Sequence, residues 1–298
     1  MSKLAIIDGD ALTYMSSKDT IQESLLVLDE KINNIFEKTE ATHYMLFISN
    51  TPYFRHSISS DYKLSRTKYT SSLKWLKTLK KYLVEGWGAQ GMNKVESDDL
   101  CAYWMNQDLC IDCDSERIET RNMFESALML CKEDRLPAFT FNSIEKVLCA
   151  VDKDLLQSIP GKHYNYTYKL EDKGDIDSLV KGWFVETLWK DSIDFYGKHL
   201  LMGDSTDGIN CLSGIGEAKA NKILKNWVDG NIETFILNYY IDYYEGDIST
   251  AIFEFQKNYR LLHMLNCDQD FIREVGSIPL LQGIQEVPKK PVSITNQF

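Results

Sequence analysis

The chain predicts an α/β fold with a mainly parallel central sheet flanked by helices, and three observations carry that expectation. Leu4 to Ile7, Tyr44 to Ile48 and Val147 to Val151 are short, unbroken apolar runs, as strands buried on both faces require. Between the first two, from about Thr20 to Lys38, Ile21, Leu25, Leu28, Ile32 and Phe36 recur at three- and four-residue spacing, the period of an amphipathic helix. Strand, helix, strand implies a right-handed crossover and parallel pairing. Each run also ends in polar residues, and open sheets of this kind gather ligands beyond the carboxyl ends of their strands, where Asp8 and Asp152 fall.

The remaining elements follow along the chain. Residues 60 to 82 hold Lys63, Arg66, Lys68, Lys74, Lys77, Lys80 and Lys81 against the single acid Asp61. From about Thr70 to Val84, Leu73, Leu76, Leu79 and Leu83 mark one side of a helix, and Lys74, Lys77 and Lys81 form a basic stripe on another. Such a stripe is ordinarily a solvated helix face. Interleaved with Tyr62, Tyr69, Trp75, Tyr82 and Trp87 it also suits single-stranded nucleic acid, where bases stack and phosphates pair. A helix is expected after Glu96, with Ser97 as its cap, and another over Glu217 to Leu224 behind Gly214-Ile215-Gly216. Two glycines at that spacing let backbone amides approach a phosphate, although Gly-x-Gly alone fits many turns. Beyond about residue 190 the chain reads as mostly helical, with Trp227, Phe235, Tyr239, Tyr240, Tyr243, Tyr244 and Phe253 as packing residues, and a mobile tail is expected from Val287 onward.

The acids are the most informative residues. Glu96, Asp98 and Asp99 form one cluster, Asp152 and Asp154 a second, Asp204 and Asp207 a third, and Asp8 stands at a strand end. Each cluster alone has an ordinary reading: acids complementing a helix dipole, or a solvated turn. Brought together, they would hold one another protonated unless divalent cations sat among them. Oxygen-only ligands suit Mg²⁺ or Mn²⁺, and the chemistry that follows is metal-assisted phosphodiester hydrolysis.

Composition excludes several alternatives. With 44% hydrophobic and 12% aromatic residues among 298, the chain can bury one large or two modest cores, so disorder is not expected. Seven scattered cysteines do not resemble a secreted disulfide framework, and Cys110-x-x-Cys113 lacks the second pair of a zinc site; a reduced, cytoplasmic protein is expected. No run approaches the roughly 18 apolar residues of a membrane helix. No Gly-x-x-x-x-Gly-Lys-Ser/Thr motif supports an ATP-binding loop. A net charge of −11 does not exclude nucleic acid, because local charge governs phosphate binding.

Five motifs in order complete the reading: Ile-Ile-Asp-Gly-Asp (6 to 10), Asp-Tyr-Lys-Leu-Ser-Arg (61 to 66), Val-Glu-Ser-Asp-Asp-Leu (95 to 100), Val-Asp-Lys-Asp-Leu (151 to 155) and Met-Gly-Asp-Ser-Thr-Asp-Gly-Ile (202 to 209) followed by Gly-Ile-Gly. Over most of residues 1 to 225 the chain resembles the phage 5′→3′ exonuclease and flap endonuclease family, related to the 5′-nuclease domain of bacterial DNA polymerase I. The resemblance implies a PIN-like 5′-nuclease fold with a helical arch and a helix-3-turn-helix element. It implies a core over 1–190 containing a basic arch at about 55–88, and a duplex-binding region over 191–298 with the helix-3-turn-helix at about 198–226.

By the same resemblance, Asp8, Glu96, Asp98, Asp99, Asp152, Asp154, Asp204 and Asp207 would hold two or more Mg²⁺, with Mn²⁺ as a substitute. Lys63 and Arg66 would contact the scissile phosphate; Lys68, Lys74, Lys77 and Lys81 would line the path of the 5′ strand. Gly214, Ile215, Gly216 and Lys219 would grip the duplex, with K⁺ at the turn. The implied partners are DNA with 5′ ends, flaps or nicks, an RNA–DNA hybrid, and unidentified replication proteins. Two departures stand out: Ser49 and Asn50 follow the second strand where the family carries an acid, and Ala218 precedes Lys219 where it carries a lysine. A non-catalytic binder of branched or 5′-ended DNA and an RNA-directed PIN-type nuclease are the rival readings.

Overall fold

The computed structural model describes residues 2–65, 74–112, 118–120, 141–170, 179–280 and 284–289. At its centre, strand β1 (Lys3–Asp8) lies between β2 (His43–Phe47) and β6 (Glu145–Ala150), parallel to both, with Ile6 level with Met45 and Leu148. β7 (Gly161–Leu170) continues the parallel set, while β8 (Leu179–Thr187) and the short β11 (Gln285–Glu286) pair antiparallel at the two edges, giving the order β11-β2-β1-β6-β7-β8. A separate ribbon, β3 (Leu109–Asp112), β4 (Ile118–Thr120) and β5 (Phe141–Ser143), stands apart from this sheet.

Alternation explains the unbroken apolar runs. Leu4, Ile6, Met45, Phe47 and Leu148 face one core, shared with Leu100, Trp104 and Leu155; Ala5, Ile7, Leu46, Val147 and Cys149 face another, shared with Leu25, Leu28, Ile32, Ile35, Leu79 and Leu83. Both faces are covered, so neither parity of position is free to be polar. Helix α1 (Gly9–Ser16) follows β1 directly, and α2 (Ile21–Thr39) begins at a capping box in which Thr20 and Glu23 exchange hydrogen bonds.

The basic segment becomes a 3₁₀ turn at Phe54–Ser57, a loop, and helix α3 (Leu76–Trp87); residues 66–73, and with them Arg66, Lys68, Tyr69 and the expected start of this helix, lie outside the described residues. Three of the aromatics expected to stack on bases are otherwise engaged. Tyr62, Tyr82 and Trp87 are buried, and Tyr82 Oη and Trp87 Nε1 both donate to the buried Asp29 carboxylate. Tyr82 and Trp87 are core residues because the lysine stripe and the apolar side share one helix, and these rings fall on the apolar side; Tyr62, in the loop before it, packs with Ile209 and Leu261.

Helices α4 (Ser97–Asn106) and α5 (Lys153–Ser158) flank the sheet, and the C-terminal part is mostly helical, with α6 (Trp189–Met202), α7 (Glu217–Leu224), α8 (Ile232–Tyr243), α9 (Ile248–Leu262) and α10 (Asp268–Val275). Leu200, Ile223, Ile236, Tyr240 and Phe255 centre a third core, against which Trp227, Phe235, Tyr239 and Tyr244 pack. Tyr243 and Phe253, expected to pack, are instead exposed at 44% and 65%. The tail also departs from expectation at its start: β11 pairs with β2, and Val287 N–H donates to Thr42 O at 2.9 Å, while 290–298 lie outside the described residues.

Candidate active site

Asp8 ends β1, buried at 3% exposure, and its Oδ1 accepts from the Asp10 amide at 3.1 Å and from Ser97 Oγ at 2.8 Å. The same Ser97 hydroxyl lies 3.4 Å from Asp98 Oδ1, so one serine touches two of the acids. Ser97 is therefore not the side-chain cap of α4 that its position suggests. That duty passes to Ser49 at the end of β2, whose Oγ accepts the Ser97 N–H at 2.8 Å. Asp152 follows β6 and caps α5, accepting the Asp154 amide at 2.8 Å. The third cluster sits on a tight ribbon, β9 (Gly203–Asp204) against β10 (Ile209–Asn210). Gly208 there has φ +74 and a missing Cβ that would come 2.7 Å from Asp61 O, so only glycine lets the acidic turn close on the basic loop. Across that contact Lys63 N–H donates to Asp207 O at 2.9 Å.

Glu96, Asp98, Asp152, Asp154, Asp204 and Asp207 line one pocket together with Lys63, Arg55, Tyr62 and His199. The electrostatics divide these acids. Burial pushes the Asp8 carboxyl up to about 7, with Asp10 and Asp152 adding to the effect against the Ser97 hydrogen bond. Burial also raises Asp98 well above the usual carboxylate range against the pull of Lys63, with Asp8, Asp152 and Glu96 adding to the rise, and raises Asp154 to about 6, helped by Asp152 and Asp204. Among the described residues Asp154 Oδ1 is buried with no hydrogen-bond partner, the nearest cation being Lys153 Nζ at 4.0 Å. Glu96 goes the other way. Burial opposes its charge, but Lys63 and Arg55 prevail and hold it down at about 2.

Lys63 adopts φ +54, and its Nζ lies 2.5 Å from Glu96 Oε1 and 3.6 Å from Asp207 Oδ2. Asp99, expected among the metal ligands, is placed elsewhere. It is fully buried outside the pocket lining, its two oxygens accept from Arg55 at 2.7 and 2.8 Å, and Leu265 N–H adds a third bond at 3.0 Å. Arg55 escaped the sequence reading because a lone arginine in Tyr-Phe-Arg-His carries no local mark of burial. Among the described residues, no three His, Cys, Asp or Glu side chains stand close enough to hold one ion as they are oriented. The donor set nevertheless fits a hard divalent cation: carboxylates of several segments line one cleft, three of those in and beside it are raised by burial, and one buried oxygen is unsatisfied.

At the position where the resemblance implies an acid, Ser49 is buried and its N–H donates to Asp10 Oδ1 at 3.2 Å. Lys80 reaches in from α3, its Nζ 2.7 Å from Asp10 Oδ1 and donating to Ser49 O at 3.3 Å. Asn50 is exposed. Lys77 and Lys81 are exposed on α3 and Lys74 just before it, Lys74 lying 4.5 Å over the Trp75 ring and Lys81 3.6 Å from Glu85. Gly214 (φ +76) and Gly216 are exposed between α6 and α7, with open space where either would carry a Cβ, and Lys219 is exposed in the first turn of α7; Ile215 is half-buried.

Searches by family and by curated sequence return no match for the chain. Solved structures do match. A flap endonuclease of bacteriophage T5, in a complex with DNA and metal ions, superposes with TM-score 0.56 at 14% identity, over 88% of this chain and 89% of that one. The chain has the fold of the phage 5′-nucleases. The T5 protein co-crystallised with metal ions gives TM-score 0.55 at 15% identity over 88% and 90% of the two chains. The T5 5′-exonuclease with bound zinc gives 0.52 at 17% identity over the same shares. The mostly parallel sheet and its helical flanks are thus those of the 5′-nuclease fold. Among the described residues no helix is long and apolar enough to cross a membrane.

Proposed function

We propose that this chain is a metal-dependent, structure-specific 5′ nuclease: a 5′→3′ exodeoxyribonuclease, with flap endonuclease and RNase H-type activity, that hydrolyses phosphodiesters near the 5′ ends of duplex or branched DNA in phage-type replication or recombination. The observation that carries the reading is the gathering of six acids from three distant segments into one pocket beside Lys63. Fold likeness to phage nucleases in complex with DNA and with metal ions supports the same reading.

Asp8, Glu96, Asp98, Asp152, Asp154, Asp204 and Asp207 would hold the Mg²⁺ ions, which Mn²⁺ could replace. When bound there, the metal supplies a water of lowered pKa and neutralises charge on the phosphate and the leaving oxygen. The protein's own groups do the rest. Asp8, Asp98 and Asp154, whose carboxyls burial raises, would give up any proton they hold where a cation bound. Lys63, in contact with Glu96, presents an ammonium to the non-bridging oxygens of the scissile phosphate, where it stabilises the charge of the transition state. Lys74, Lys77 and Lys81, with Arg66 and Lys68 before them, pair with backbone phosphates of the 5′ strand; the Gly214–Gly216 turn and Lys219 contact the duplex backbone, with K⁺ bound at the turn. In this reading residues 1–190 form the nuclease core and 191–298 the duplex-binding region.

The test is incubation of the purified protein with 5′- and 3′-labelled flap, nicked duplex and RNA–DNA hybrid, in Mg²⁺ and in chelator. Short labelled products from 5′ ends alone, dependent on Mg²⁺, are expected. A non-catalytic DNA binder would rest on Ser49 standing where an acid is implied; binding without cleavage in Mg²⁺ and Mn²⁺ would favour it.

A further inference from the structure

The guanidinium of Arg55 is buried at 3% exposure and takes no part in the chemistry above, yet it joins two distant stretches of chain. Nη1 donates to Glu96 Oε2 at 2.8 Å and to Asp99 Oδ2 at 2.7 Å; Nη2 donates to Asp99 Oδ1 at 2.8 Å and to His263 O at 2.7 Å; Nε donates to Leu261 O at 3.0 Å. Two parallel bonds to Asp99 fix the plane of the fork, and the two carbonyls at the end of α9 fix its depth. What remains of Nη1 is then a donor in a set position for Glu96 Oε2. Tyr62 Oη gives that same oxygen a second bond at 2.8 Å, which leaves Oε1 to Lys63 at 2.5 Å.

We propose that Arg55 is a positioning residue: clamped by Asp99 and by the carbonyls of Leu261 and His263, it holds Glu96, and through Glu96 the ammonium of Lys63, in the geometry the cleft uses. The end of α9 thereby becomes part of the site although it contributes no side chain to the clamp. The reaction named here rests on the nuclease reading; the placement of Glu96 and Lys63 does not. Stability alone would not require this arrangement, because a buried arginine–carboxylate pair is commonly replaced by apolar residues of similar size at little cost. The third partner is what distinguishes it.

The test compares wild type, Arg55→Lys, and the charge-neutral pair Arg55→Met with Asp99→Leu, each as the full chain. Arg55→Lys keeps the charge but loses the fork. In whichever variants fold by circular dichroism, kcat on a 5′-labelled nicked duplex is expected to fall about ten- to hundredfold, as for loss of a group supporting a ligand, with KM for DNA unchanged. Mn²⁺ affinity, read by electron paramagnetic resonance without DNA, is expected to fall by a similar factor. A folded variant with wild-type kcat and wild-type Mn²⁺ affinity would reduce Arg55 to a brace and overturn the proposal. Failure of both variants to fold would do the same, since the clamp would then serve the fold. If wild type binds Mn²⁺ but cleaves nothing, the nuclease reading fails, and the Mn²⁺ comparison still decides the role of Arg55.

Discussion

Chelation should change how this protein's stability depends on pH, and the structure sets the direction and size of the effect. An acid whose pKa is raised in the folded state binds its proton more tightly there than in the unfolded chain. Its stabilising contribution is complete below the unfolded value and is lost as pH rises through the folded one. Asp8 rises from 3.8 to about 7 and Asp154 from 3.8 to about 6, so the loss falls between about pH 4 and pH 7. At about 1.4 kcal/mol per unit, Asp8 alone accounts for up to roughly 4 kcal/mol and Asp154 for up to roughly 3, an upper bound because the two interact through the cluster. Glu96, lowered to about 2, contributes stability above its unfolded value and loses it only in stronger acid, so it does not mask the effect. His163 and His199, lowered by burial, act in the opposite direction as pH falls below the usual imidazole range. Thermal melts from pH 5 to pH 8 in chelator should therefore give a midpoint that falls with pH relative to melts in Mg²⁺ or Mn²⁺, by several degrees at about 2–4 °C per kcal/mol. Asp8→Asn should remove the larger share of that difference. Midpoints that track each other with and without divalent cation across this range would refute the argument that these acids share their site with metal.

Two further predictions follow from the same geometry. Lys63→Ala removes the ammonium beside Glu96; kcat on a nicked duplex should fall about a hundred- to thousandfold under single-turnover conditions, with Kd for DNA in chelator changed far less. Ser49→Ala deletes the hydroxyl that receives the first amide of α4 and should cost about 1 kcal/mol, read as a midpoint lower by about 2–4 °C.

Much of the fold was legible because it rests on local periodicity. β1, β2 and β6 are apolar on both faces, and α2 carries its apolar stripe and its capping box within one stretch of chain. β7 was not legible: in Gly-Lys-His-Tyr-Asn-Tyr-Thr-Tyr its tyrosines alternate with polar residues that are themselves buried, His163 and Asn165 among them, so hydrophobicity understates its burial. β11 was hidden for a different reason, since two residues gain a strand only by finding the edge of β2. At the site, the acids announced themselves by clustering, and six of the eight do line one pocket with Asp8 adjoining through Ser97. Asp99 did not follow, because its neighbour in sequence says nothing of Arg55, 44 residues away, which claims it. Ser49, Lys80 and Asp10 illustrate the same limit: their contacts join the end of a strand to a helix some thirty residues later, and no local pattern records them.

The central claim is that acids from separate strand ends act together, with a divalent cation, to cut DNA from its 5′ end. Asp152→Asn tests it most directly, because the amide keeps the oxygen that caps α5 while removing the charge from the cleft. Measured side by side with wild type on a 5′-labelled nicked duplex in Mg²⁺, the variant should bind DNA with unchanged affinity and release no labelled product. Cleavage by Asp152→Asn at the wild-type rate would contradict the account.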